Sequence, residues 1–405
     1  MLILDDYDQF DGLHWETGSL RNYFAYNGII APHTGQPFSE ALLMGISGGI
    51  TMTYIAFHYA GNEPYVRILT RNTFDPLDKI IERLGIQSNV RQTSTADKGV
   101  KNLLEVLESG SPAIIYADVF GLPYNAAPLN QGMWLMMPAL VFGYDEVGDV
   151  VWIADRSRAP LTVTTETLTI ARGRTKENKF RILTHEPPDN EKLKSAVQSG
   201  IQDCIQLFTQ PPPKGSKHNF GFLAFEKWAK VLGKSNERNS WIKMFPPGDY
   251  MYAGLTSAFT DICIFGKEGG AERETYANFL DEASVILSLP ALSEVGEKFR
   301  SSAQAWNDLA NTLLPDEIKP FKETKDLMLR RHRLFLDEGT SALNQIQLID
   351  DELISIKTHV SKGFPLDSKR VVDLRESIAE KVLAIRDIEL DAVQDLEQAV
   401  SSSIS

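Results

Sequence analysis

Between Gly12 and Gly28 the chain reads GLHWETGSLRNYFAYNG, with His14, Trp15, Glu16, Thr17 and Ser19 crowded into what the spacing predicts as the start of a helix. A histidine and a carboxylate two residues apart can move protons, and a neighbouring hydroxyl can attack an electrophile or donate a hydrogen bond. The same residues also suit a plain helix start, with Thr17 or Ser19 as cap, Glu16 at the positive end of the dipole and His14 packed. Thr17 has no evident base beside it in sequence. Both readings are open.

Other candidates are weaker. GISGG, Gly45 to Gly49, has the Gly-x-Ser-x-Gly form, but SEALLM before it reads as helix, so the strand that a nucleophile elbow needs is missing. Ser47 is therefore expected in a glycine-rich break. No His-Glu-x-x-His, Walker or dinucleotide-binding pattern occurs. His33, His58, His185, His218, His332 and His359 lie singly, in segments read as loops or helices, and are expected as surface or satisfied side chains. The two cysteines, Cys204 and Cys263, sit among apolar neighbours in helical segments and read as buried thiols, with no disulfide framework. His14, Glu16 and Asp155 have no metal-ligand spacing, so neither metal nor other cofactor is expected.

The positioning elements follow from the texture. At 405 residues and 43% hydrophobic the chain should form two domains. Up to about residue 188 it mixes helices with β-rich runs. Ser39 with Glu40 starts a helix, PYVRILT is a strand, and the helices over DPLDKIIERLGI and KGVKNLLEVLESG stop at Gly85 and Gly110. SPAIIYADV and NKFRILTHE read as strands, and MMPALVFGYDEVGDVVWIADR as two strands joined by a turn at Glu146 to Asp149. From residue 189 to 405 apolar residues recur at three and four, which predicts an all-helical bundle whose charged arms suit a homo-oligomer contact. The fold class is thus α+β followed by all-α.

A formal net charge of -13 disfavours sequence-independent nucleic-acid binding and favours small-molecule or protein partners. The start, MLILDDYDQFDGL, lacks a basic n-region, and no run reaches the roughly 18–20 apolar residues of a membrane span. The expected location is the cytoplasm, away from membranes.

Four stretches in order, HWETGSLRNYFAYNG, SEALLMGISGGI, ADVFGLPYN and ALVFGYDEVGDVVWIADR, resemble the amino-terminal domain of butirosin biosynthesis protein H and its relatives. YANFLDEASVI and AQAWNDLANTLL are similar to the helical domain that often follows it. The resemblance implies a papain-like fold in which a helix carrying a cysteine nucleophile packs against an antiparallel sheet carrying a histidine and an acid. For active members it implies acyl transfer from a carrier-protein thioester to an amine. A thiolate at a helix N-terminus is stabilised by the dipole and an imidazolium, and backbone N–H groups there hold the oxyanion.

At the decisive places this sequence departs from the family. The cysteine position falls on Trp15. The general-base position falls on Met137, or with a one-residue shift on Met136 or Pro138. Asp155 keeps the orienting acid's place, and Gln9 stands six residues before Trp15, the spacing of an oxyanion glutamine. Three readings follow. In the first, the pocket is rebuilt for other small-molecule chemistry on an acyl or amino-acid-derived substrate, with His14, Glu16, Thr17 and Asp155 catalytic and Gln9, Trp15, Ser19, Tyr116, Trp134 and Met137 lining it. In the second, a pseudoenzyme binds an acyl carrier protein, a pathway partner or a metabolite, with Trp15, Met133, Trp134, Met136 and Met137 forming an apolar lining. The third keeps thioester-to-amine transfer without a cysteine, through proximity and an oxyanion hole. Whether the chain is an enzyme is left open.

Overall fold

The structure, a computed structural model, describes residues 1–59, 63–126, 134–210, 216–233, 237, 239–266 and 270–401. From the amino terminus come β1 (Leu2–Ile3), α1 (Trp15–Tyr26), the short pair β2 (Ile30–Ala31) and β3 (Gln36–Pro37), and α2 (Glu40–Ile46). An antiparallel pair, β4 (Ile50–Phe57) and β5 (Tyr65–Arg71), precedes α3 (Pro76–Arg83), β6 (Ser88–Arg91), α4 (Ala96–Glu108) and β7 (Ala113–Asp118). Then come β8 (Met136–Asp145), β9 (Val150–Ala154), β10 (Leu161–Val163), α5 (Thr165–Arg172) and β11 (Ile182–His185). The remaining helices are α6 (Leu193–Thr209), α7 (Gly221–Leu232), α8 (Trp241–Met244), α9 (Asp249–Phe259), α10 (Arg273–Leu287), α11 (Ala291–Leu313), α12 (Lys319–Glu338), α13 (Leu343–Lys362) and α14 (Ser368–Ser401).

These elements gather into two compact units. The first comprises Met1–Leu43, Pro76–Leu193 and Arg331–Leu348, and the second Met44–Asp75, Lys194–Arg330 and the stretch from Ile349 onward. In the first unit an antiparallel sheet runs β10-β9-β8-β7-β11-β6, with β1 pairing the far end of β8. β7, AIIYAD, lies in its middle and is buried nearly throughout, as a run of apolar β-formers should be. Helix α1 buries Leu20, Tyr23 and Phe24, and the Ser19 hydroxyl reaches the Pro138 carbonyl of β8 at 3.4 Å. The first turn is held tightly: a Cβ at Gly12 would lie 2.7 Å from Gly18 Cα, so the chain entering α1 needs glycine there. Helices α3 and α4 end where left-handed Gly85 (φ +63) and Gly110 (φ +80) stop them.

The second unit is a helical bundle that also takes in β4 and β5. Sequence texture groups those strands with the β-rich part, but their buried faces meet helices. Tyr54 of β4 stacks on Trp228 of α7 at 5.5 Å, and Val66 of β5 donates its N–H to Ser257 Oγ of α9 at 3.0 Å. The reverse exchange occurs at 331–348. The Leu336 carbonyl accepts the Arg158 N–H at 2.6 Å, Thr340 Oγ1 accepts the Thr162 N–H at 2.9 Å, and left-handed Gly339 (φ +55) packs on Leu161. A helical period reports which face of a helix is apolar but not which core it enters.

Ser47 follows a helix and precedes a strand, the opposite order to a nucleophile elbow. It is buried, and its hydroxyl donates to the Met44 carbonyl at 2.7 Å, so the expected glycine-rich break is what forms. No described helix is long and apolar enough to cross a membrane.

Candidate functional site

Helix α1 opens without a cap of its own. His14 is the N-cap in extended geometry (φ -118, ψ 158), and its side chain makes no capping hydrogen bond. Glu40, from the start of α2, binds the chain just where it enters the helix. Its carboxylate accepts the Leu13 N–H at 2.6 Å, the His14 N–H at 2.8 Å and the Thr17 hydroxyl at 2.8 Å. Thr17 and Ser19 as helix caps are therefore corrected: Thr17 is fully buried and donates to Glu40, and Ser19 faces the sheet. In a thiol transferase the positive end of this helix would stabilise a thiolate or an oxyanion. Here the Glu40 carboxylate takes the N–H groups of Leu13 and His14, at the entry to the helix.

Trp15, half-buried, has the Arg156 guanidinium 4.1 Å from the centre of its ring. Arg156 grips the neighbouring Asp155 with two nitrogens, Nε to Oδ1 at 2.8 Å and Nη2 to Oδ2 at 3.2 Å, and donates to Asn125 Oδ1 at 2.5 Å. The Phe335 ring lies 5.3 Å from the same guanidinium. Tyr124 donates its hydroxyl to Asp155 Oδ2 at 3.0 Å. Burial first, and the Asp155 charge second, hold the Tyr124 phenol well above its ordinary range, so it stays a donor. Arg156 itself has φ +52, a left-handed backbone rare outside glycine, which bends the chain after Asp155. Both oxygens of Asp155 thus accept from Arg156, and Oδ2 also accepts from Tyr124.

The other expected site residues divide. Met137 lies half-buried on β8 opposite Ala117 of β7, and Tyr116 of β7 pairs with Pro138. Burial pushes the Tyr116 phenol up to about 12, opposed by Arg181, whose guanidinium lies 5.3 Å from the ring, and reinforced by Asp78 and Glu16. Glu16 and Tyr116 therefore share one electrostatic neighbourhood. Gln9 donates to the carboxylate of adjacent Asp8, and Trp134 is 59% exposed. Met133 lies outside the described residues. His14 is buried beside the Glu40 cap.

Two further readings need adjustment. His185, grouped above with histidines of loops and helices, lies on strand β11 as the run NKFRILTHE predicts, buried, with Nδ1 2.9 Å from Ser88 Oγ, and burial lowers its pKa to about 4. Cys263 lies in a π-helical turn over Thr260–Phe265, and Cys204 in α6. Both thiols are buried and pushed up to about 12, which is unsuited to a nucleophile. Among the described residues no group of three or more His, Cys, Asp or Glu side chains could hold a metal.

Sequence reasoning missed Glu40, Tyr124, Arg156 and Phe335. Glu40 was legible as the first residue of a helix but not as the cap of another. Arg156 carried one signal, its place beside Asp155 in WIADR.

An antiparallel sheet with a helix laid on its central strands, the helix N-terminus and the end of β9 meeting at one point, defines the first unit as a papain-like α+β domain. Residues 14–156 match the profile of butirosin biosynthesis protein H, N-terminal, and residues 167–328 match that of a domain of unknown function, DUF4872. The chain belongs to this butirosin biosynthesis protein H-like family, a biosynthetic, acyltransferase-like scaffold followed by a helical domain. No curated protein matches it.

Proposed function

We propose that this chain is a pseudoenzyme of the acyltransferase scaffold, binding an acyl or amino-acid-derived small molecule, free or presented by a carrier protein, without forming an acyl-enzyme. The observation that carries this reading is the Trp15–Arg156–Asp155 chain of contacts. An indole cannot attack a thioester, and the Asp155 carboxylate is bound by two arginine nitrogens and a tyrosine hydroxyl rather than by a histidine. The Glu40 cap adds to it, because the N–H groups of Leu13 and His14 are taken by the protein itself. A calorimetric titration of the full chain with an acyl-phosphopantetheine thioester tests the binding half. Saturable heat, reduced at least tenfold in affinity by Arg156→Ala, is expected. No heat at millimolar thioester would remove this ligand class.

One arrangement favours rebuilt chemistry as a second reading: the Arg181 guanidinium lies 5.3 Å from the Tyr116 ring, and burial pushes that phenol up to about 12, with Glu16 among its charged neighbours. Such a group can donate a hydrogen bond to charge that develops on a substrate. Any turnover found on an amine or acyl substrate panel should then fall at least a hundredfold in both Glu16→Gln and Tyr116→Phe, with unfolding midpoints unchanged. Retained turnover in either variant removes that pair from the chemistry.

A further inference from the structure

The helical unit holds a cavity of about 310 Å³ that none of the foregoing uses. It sits beside the π-helical turn that follows α9, a distortion often found at functional sites. Ala253, Met328, Leu353 and Ile354 give it apolar walls. Its polar lining is unusual in composition: the hydroxyls of Tyr252, Thr256, Ser257, Thr260 and Thr324, with Glu63 and Lys357 at an ion-paired edge.

The hydroxyl protons are already assigned. Thr256 donates to the Tyr252 carbonyl at 2.8 Å, Thr260 to the Thr256 carbonyl at 2.9 Å, and Ser257 to the Gly254 carbonyl at 3.2 Å. Thr324 donates its single proton to the Pro320 carbonyl at 2.7 Å. In the 2.7 Å contact between Tyr252 and Thr324, therefore, tyrosine must be the donor. With their protons so placed, the oxygens of Tyr252, Thr256, Thr260 and Thr324 present lone pairs, while Ser257 Oγ already accepts the Val66 N–H. A guest that brings acceptors would meet acceptors, whereas a guest that brings N–H donors would be matched. Glu63 supplies a negative charge for such a donor, and the apolar walls suit a hydrocarbon body.

We propose that this cavity binds the ammonium end of an amphipathic primary amine, its protons directed at the hydroxyl oxygens and Glu63 and its hydrocarbon body against Met328, Leu353 and Ile354. Lys357 then acts as the resident counter-ion that the ligand's ammonium displaces from Glu63 or shares it with.

The test uses the full chain and three isosteric probes, n-hexylamine, n-hexanol and n-hexanoate, titrated calorimetrically. The amine should bind at least tenfold more tightly than hexanoate, with hexanol between them. Glu63→Gln should weaken the amine at least fivefold and leave hexanol within twofold. Met328→Trp, which fills the cavity, should abolish amine binding. Ile354→Trp, at a position 62% exposed where a larger side chain does not enter the core, should weaken it at least threefold and guards against a misfolded Met328 variant. Equal affinity for amine and carboxylate overturns the donor argument. Amine binding that neither tryptophan variant weakens places the ligand elsewhere and overturns the site.

Discussion

The two units contain the same small constellation, an arginine under a tryptophan ring with a carboxylate gripped by Nε and Nη2, and use it differently. In the helical unit Arg273 lies 5.1 Å from the centre of the Trp306 ring and holds Glu389 at 2.6 and 2.9 Å. Both charged side chains are fully buried. Ser302 and the Trp306 indole N–H donate to the same carboxylate, and Arg273 also donates to the Thr51, Thr70 and Ala271 carbonyls, tying β4 and β5 to the bundle. In the first unit Arg156 sits closer to its ring, 4.1 Å, but its side chain is 11% exposed and its carboxylate has one other described donor, Tyr124. A charge that is wholly buried must be wholly satisfied, so the helical cluster reads as architecture. The cluster at Trp15 is partly open and supported by a strained backbone, which is where a site would be expected.

That contrast sets the largest expected effect. Glu389→Ala leaves Arg273 buried without its counter-charge and should cost about 3–5 kcal/mol of stability, read as a lowered urea midpoint by circular dichroism. Arg156→Ala should cost less, about 2–3 kcal/mol, because Asp155, 2% exposed, loses its counter-charge but keeps the Tyr124 hydrogen bond. Equal costs for the two would erase the distinction.

A third test compares buried titrating groups, one in each unit. Burial lowers His185 to about 4, below its ordinary value, so its contribution to stability is full above pH 6.5 and is lost as pH falls through about 4. Asp261 goes the other way. Burial raises it to about 6, against the pull of Arg67 and the Ile68 N–H, so its contribution is full below pH 3.8 and is lost as pH rises through about 6. Between pH 4 and 6 the two oppose each other, and the wild type should show a shallow net slope. His185→Gln should make stability fall with rising pH across that window, and Asp261→Asn should make it rise. Parallel slopes in all three proteins would contradict these assignments. The smallest effect belongs to Ser47→Ala, about 1 kcal/mol or less from one lost hydrogen bond, with no change in ligand binding.

Most of the fold was legible in the sequence. Strands β5, β7, β8, β9 and β11, the turn between β8 and β9, the glycine stops after α3 and α4 and the helical period of the second half come from local pattern, which is what propensity and periodicity report, whereas β1, β4, β6 and β10 were not read as strands. The exchange of β4, β5 and residues 331–348 between units was not legible, because it depends on which core an apolar face enters. At the site, Trp15 and Asp155 were placed by alignment to motifs. Arg156, which links them, has no signature beyond adjacency, and Glu40 reaches α1 across 26 residues of chain. Partners fixed by tertiary approach leave no spacing to read.

The most direct test of the account is thiol release from an acyl-phosphopantetheine thioester in the presence of amine acceptors, followed with a chromogenic thiol reagent at several concentrations of the wild-type chain. Trp15 stacked on Arg156, with Asp155 held beneath, predicts release at the rate of buffer alone at every protein concentration. Release that rises in proportion to wild-type protein and saturates with thioester would show that acyl transfer proceeds without the thiol and histidine, and would contradict the pseudoenzyme reading.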